Sequence, residues 1–93
     1  MITIVNFKFF LITYDSLNLV IVMKIKANDY KANEVMKIIR EWTTLSQQKF
    51  AKEVGRSRNS INNIENDRNR IFLNDFLDIC DKFDIVVTLE KKK

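Results

Sequence analysis

The sequence has no histidine, no proline, one glycine and one cysteine, and each scarcity removes a class of chemistry. Without histidine there is no imidazole to activate a nucleophile and no imidazole ligand for zinc. A single thiol, Cys80, cannot close an intramolecular disulfide, which suits a reducing cytoplasm. One glycine, Gly55, rules out a glycine-rich phosphate loop. The absence of proline points to a mostly helical chain with few strained turns. No catalytic pair and no metal-ligand cluster stands out, so the expectation is a non-enzymatic protein with no cofactor and no small-molecule substrate. At 93 residues there is room for one domain with a modest core.

What is present is charge, unevenly placed on a chain of net charge +4. Residues 46–70 carry Lys49, Lys52, Arg56, Arg58, Arg68 and Arg70 against Glu53, Glu65 and Asp67. Residues 74–84 reverse the sign, with Asp75, Asp78, Asp81 and Asp84 against Lys82. A basic face beside an acidic one is the footprint of a polyanionic partner at one end, or of two solvated faces of a small domain.

Residues 1–22 differ from the rest, with Lys8 and Asp15 as their only charges. A membrane span is disfavoured because Asn6, Lys8, Asp15, Ser16 and Asn18 interrupt the apolar run. A secretory leader lacks its basic start and small-residue cleavage site. Two β-strands fit better: residues 2–13 and 17–26 are β-branched, aromatic and apolar, and Asp15-Ser16 suits a turn between them. Another reading places the translation start at Met23. The resulting division is an apolar segment 1–27, a helical domain 28–84, and a C-terminal strand with a basic tail, 85–93.

Helical spacing begins near Asp29, capped by Asn28 or Asp29, with Ala32, Val35, Met36 and Ile39 inward as far as about Trp42. Ser46 caps a second helix with a stripe of Phe50, Ala51 and Val54, and Gly55 ends it by supplying a left-handed backbone. Ser57 caps a third helix with Ile61 and Ile64 inward. After a polar link, Leu73, Phe76, Leu77, Cys80 and Phe83 give the apolar face of a fourth helix. Ile85-Val86-Val87-Thr88-Leu89 is short and β-branched and reads as a strand. Trp42 and Cys80 are expected in the core, and Asp75, Asp78 and Asp81 on a solvated face.

Leu45 to Arg70 combines demands that rarely coincide: a serine cap at each helix start, a small Ala51 where helices cross closely, a turning Gly55, and Val54, Ile61 and Ile64 wedged between two short helices. This pattern, LSQQ, FA, VG, S, SI and NIEN in order, resembles the helix-turn-helix of the phage repressor/Cro group, the XRE family, across residues 35–83. The resemblance implies a mainly α fold: a four-helix, repressor-like helix-turn-helix domain, here with a short C-terminal β-strand and an N-terminal β-strand or hairpin.

By position, the resemblance places Arg58, Asn59, Ser60, Asn62 and Asn63 on the face of the third helix that enters the major groove. Arg58, Asn59 and Asn63 are the chief base readers. Arginine can fork onto guanine O6 and N7, and asparagine can pair with adenine N6 and N7. A polar solvent face is the plainer reading of the same asparagines. Gln47, Ser57, Asn66, Arg68, Asn69 and Arg70 match positions that hold the DNA backbone and set register. Arg40 and Glu65 match an ion pair between the first and third helices; as a surface pair it would contribute only about 0–1 kcal/mol.

Three features depart from the pattern. Arg56 stands where an apolar residue is common, Asp67 replaces a usual glycine, with Asn66 or Asp67 then taking the left-handed turn, and a strand replaces a fifth helix. A lone strand needs a partner, so residues 85–90 are expected to pair with residues 20–26 of the same chain or with a second copy. A homodimer on a palindromic operator would set two recognition helices about 34 Å apart. The expected function is a cytoplasmic transcriptional repressor that binds double-stranded DNA and no membrane. The alternatives are an antitoxin that also binds a toxin protein, and a protein-interaction module without DNA binding.

Overall fold

The computed structural model describes residues 2–4, 10–14 and 19–93, with the backbone alone described before Met23. It divides into two compact units, Met1–Tyr30 and Lys31–Lys93.

In the first unit β1 (Ile2–Ile4), β2 (Phe10–Tyr14) and β3 (Leu19–Met23) form an antiparallel sheet in that order. Ile2 pairs with Thr13, and Phe10 and Tyr14 with Met23 and Leu19. The stretch 2–13, read as one strand, thus contributes to two strands that pair with each other. The expected Asp15-Ser16 turn lies outside the described residues. A short 3-10 turn, Ala27–Asp29, closes the unit. Asn28 and Asp29 sit in that turn and cap no α-helix, contrary to expectation.

The second unit holds four α-helices: α1 (Ala32–Thr43), α2 (Gln47–Glu53), α3 (Arg58–Glu65) and α4 (Leu73–Lys82). Helix α1 starts three residues later than the apolar spacing suggests, because Glu34 supplies the capping group: its Oε1 accepts from the Lys31 backbone N–H at 2.8 Å. Ser46 Oγ accepts from the Lys49 N–H at 3.2 Å, and Ser57 Oγ from the Ser60 N–H at 3.0 Å. Each cap satisfies a first-turn amide that has no intrahelical partner. Ser57→Ala is therefore expected to lower the unfolding free energy by about 1 kcal/mol, read from a urea titration. A loss indistinguishable from zero would show that the cap contributes nothing.

Helices α2, α3 and α4 end in one way. After α2, Gly55 turns left-handed at φ 72° and Arg56 N–H returns to Ala51 O at 2.8 Å. Asp67, at φ 62°, lets Arg68 N–H reach Asn63 O at 2.8 Å after α3. Asp84, at φ 57°, lets Ile85 N–H reach Cys80 O at 2.8 Å after α4. This is the Schellman closure, in which the second residue past the cap satisfies a carbonyl of the last turn. A short aspartate side chain tolerates the left-handed region better than a bulky one, so the missing glycine at 67 is accommodated.

That closure also corrects the reading of the C-terminus. Ile85 belongs to the end of α4, packed against the core, and no strand forms at residues 85–93. The expected partner, Val20–Met23, pairs instead with Thr13–Phe10 of β2. Strand propensity expresses itself only against a neighbour that completes the hydrogen-bond ladder; among the described residues none pairs with residues 86–90, which stay irregular.

The core joins all four helices through Met36 and Ile39, Phe50 and Ala51, Ile61 and Ile64, and Ile79 and Cys80. Phe50 stacks on Phe83, with ring centres 5.4 Å apart. Helix α4 buries Ile79 and Cys80 flanked by Phe76 and Phe83, whereas Leu73 and Leu77, expected inward, are exposed. Ala32 is exposed as well, and Trp42 is half-buried. No helix among the described residues is long and apolar enough to cross a membrane.

Candidate nucleic-acid interface

The two short helices α2 and α3 meet through the turn at residues 54–57, and their inner sides are committed to the core by Phe50, Ala51, Ile61 and Ile64. What remains of α3 is an outward side that begins at Arg58 and Asn59, both exposed. Neither side chain makes a hydrogen bond or ion pair to another described residue. A guanidinium and a carboxamide, adjacent and unengaged, present both donors and acceptors to whatever enters from that side.

The other residues expected to read bases are more committed. Ser60 is half-buried, and its Oγ accepts from Arg56 Nη1 at 3.3 Å. Asn62 is half-buried and donates through Nδ2 to Gln47 Oε1 at 3.2 Å. Asn63 Oδ1 accepts from Arg68 Nη1 at 3.3 Å, and its backbone carbonyl accepts from Arg68 and Asn69. The same contacts place the expected phosphate-holding residues. Arg68 and Asn69 are tethered to the end of α3, while Arg70 is exposed in the link. Asn66 Nδ2 donates back to Asn62 O at 2.8 Å. Ser57 is exposed but already serves as the cap of α3.

Beneath this surface lies a polar core. The Glu65 side chain is 4% exposed, and its two oxygens accept from Arg40 Nε at 2.7 Å and Nη2 at 3.0 Å. The hydrogen bond that Arg40 donates to Glu65 is the main reason its guanidinium is held above its usual pKa, against the opposing effect of burial. Arg40 Nη1 also donates to Leu45 O at 3.0 Å, so one side chain ties α1 to α3 and to the segment leading into α2. Asn33 Nδ2 donates to the Glu65 backbone carbonyl at 3.3 Å. Two-pronged arginine–carboxylate contacts are directional and fix orientation as well as distance. Gln47 completes the cluster by donating through Nε2 to Glu65 Oε1 at 3.2 Å. Gln47 is thus turned inward, towards α3.

A second anchor escaped the sequence reading. Arg56 Nη2 meets Asp75 Oδ2 at 3.0 Å while Nη1 holds Ser60, so the turn, α3 and α4 are joined by one guanidinium. Asp75 is therefore part of a bridge and not simply a member of a solvated acidic row. A basic residue at an otherwise apolar position, with an acidic row later in the chain, was the available signal. Cys80 is buried, and burial, then the nearby Asp81, pushes its thiol above the usual pKa, which keeps it protonated and inert. No cluster among the described residues has the makings of a metal site.

Comparison with known proteins agrees with this geometry. A family model described as helix-turn-helix matches residues 36–86. A chain of the solved "Structure of HipA-HipB-O2-O3 complex" is 27% identical, with a TM-score of 0.52, covering 69% of this chain and 94% of that one. A chain of a structure described as "MDT Protein" is similar to the same degree, at 27% identity and a TM-score of 0.52, with coverage of 69% and 94%. No curated protein matches the sequence.

Proposed function

The chain belongs to the helix-turn-helix family of the phage repressor/Cro type and is a DNA-binding transcriptional regulator, and from that premise we propose that it is a repressor whose α3 reads the major groove. The observation that supports this most is the free outward side of α3, where Arg58 and Asn59 stand exposed and unengaged. In this reading Arg58, Asn59 and Asn63 contact base edges. Ser57, Asn66, Arg68, Asn69 and Arg70 position the backbone. The protein acts by binding alone, in the cytoplasm, without cofactor or catalysis.

We propose further that it works as a homodimer on a palindromic site. Phe72 is 80% exposed, Leu73 70%, Val86 83% and Leu89 99%, an amount of apolar surface that favours burial against another chain. A groove of about 400 Å³ lined by Leu77, Asp81, Asp84, Ile85 and Val87 lies along α4. A second copy suits it, because its own Val86, Val87 and Leu89 are followed by Lys91 to Lys93, opposite in sign to the acidic rim.

Selection of bound duplexes from a random pool, followed by gel mobility shift at two salt concentrations, tests the reading. One duplex should be preferred, with affinity falling steeply as salt rises; equal binding to all duplexes would remove sequence-specific repression. Arg58→Ala is expected to lose about 1–3 kcal/mol of discrimination at one base pair of that site. An unchanged preference would take Arg58 out of base reading.

One observation favours a second reading, that of an antitoxin: the similarity to a chain that forms part of a HipA–HipB complex. In that case the product of an adjacent gene should co-purify with this protein and raise its affinity for the selected duplex. A chain that represses alone, with no such partner, fits the first reading.

A further inference from the structure

The buried end of the Arg40–Glu65 cluster sets a direction for every amide that leads from it towards the surface of α3. Facing a guanidinium on two atoms, Glu65 is a carboxylate that can only accept. Gln47, which shares Oε1 with Arg40, must therefore turn its NH2 group inward, as it does at 3.2 Å. That leaves the Gln47 carbonyl facing outward, and Asn62 must answer it with an N–H, as it does at 3.2 Å. The reverse orientation of either amide would set two acceptors against each other in a partly buried place, and each would lose its partner. The last group in the chain is Asn62 Oδ1, an acceptor with no hydrogen-bond partner among the described residues. On α3, Asn62 stands one turn from both Arg58 and Asn66, four residues away on either side.

We infer that Glu65 and Gln47 form a directional relay that presents Asn62 as an acceptor to a base donor, which makes Gln47 a positioning residue for base discrimination. This rests on the reading of α3 as the recognition helix and deepens it. Adenine N6 and cytosine N4 carry the matching donors in the major groove, whereas guanine O6 and N7 and thymine O4 are acceptors that Asn62 Oδ1 would oppose. Gln47 matches a position that holds the DNA backbone, but its amide is engaged on both sides within the protein. Its influence on binding accordingly passes through Asn62.

Two measurements separate this inference from the reading beneath it. First, the wild-type chain selects its preferred duplex from a random pool. Gln47→Ala and Asn62→Ala are then titrated by fluorescence anisotropy against that duplex and its single-base-pair variants. Both substitutions should reduce discrimination about tenfold at the same base pair, and the double substitution should lose no more than either alone. If Gln47→Ala weakens every duplex equally, or its effect adds to that of Asn62→Ala, the relay is overturned while DNA recognition stands. Failure of the wild type to select any duplex overturns the recognition reading and the base-reading role of Asn62 with it. The second measurement needs no DNA. In NMR spectra of the free protein, Glu65→Gln and, separately, Gln47→Ala should both shift the side-chain amide signals of Asn62, although no side-chain hydrogen bond joins Asn62 to Glu65. An unmoved Asn62 amide in the folded Gln47→Ala variant overturns the relay.

Discussion

Replacing Phe50 with alanine should lower the unfolding free energy by about 3–5 kcal/mol, as measured by urea titration followed by helical circular dichroism. Phe50 is fully buried, stacks on Phe83, and belongs to the one cluster that all four helices share. Its removal takes away aromatic contact area and leaves a cavity between helices too short to collapse into it. A small domain has a total stability of only about 5–15 kcal/mol. The substitution therefore consumes much of the reserve, and DNA binding should fall with the folded fraction. A loss below about 1 kcal/mol would mean that the ring is not where the helices meet.

Glu65→Ala should cost about 3 kcal/mol, at the lower end of what is lost when one partner leaves a buried ion pair. The loss arises chiefly from what is left behind. Arg40, 16% exposed at its side chain, would keep only the Leu45 carbonyl as a partner among the described residues, and Gln47 would lose its acceptor. The low end applies because the guanidinium retains that carbonyl and some access to water. Replacing both partners with apolar residues, Arg40→Met with Glu65→Leu, should recover most of the stability, since no charge is then stranded. Thermal melting of the single and double variants decides the matter. A double variant as unstable as Glu65→Ala would show that shape at this site, and not charge pairing, is what matters.

These two residues also show where sequence reasoning reaches and where it stops. Phe50 was legible because helical spacing from the Ser46 cap puts it inward whatever the remainder of the fold does. Ser46, Ser57 and Gly55 were legible for the same reason: each acts on neighbours within five residues. The left-handed turn after α3, open between Asn66 and Asp67, falls at Asp67, and Asp84 takes the equivalent turn after α4. There the backbone closure, not a glycine signal, sets the conformation. The sequence leaves the face of α4 open to a rotation, because Leu73, Phe76, Leu77, Cys80 and Phe83 fit an amphipathic stripe nearly as well as Phe76, Ile79, Cys80 and Phe83. Only the direction from which the other helices approach distinguishes the two stripes.

Residues 85–90 depart from their sequence expectation for a related reason. Their β-branched composition states a capacity, and the capacity needs an edge to pair with. Among the described residues no strand pairs with residues 85–90, and Ile85 is drawn into the closure of α4.

The sequence by itself determined the helix-turn-helix, its caps, its turn and its inward residues, because those depend on interactions between near neighbours along the chain. The tertiary structure alone decided that Gln47 faces Glu65 across 18 residues and that Arg56 meets Asp75 across 19. Hydrogen bonds and ion pairs reach only about 3–4 Å, so which distant polar groups come within that reach is set by how the helices pack.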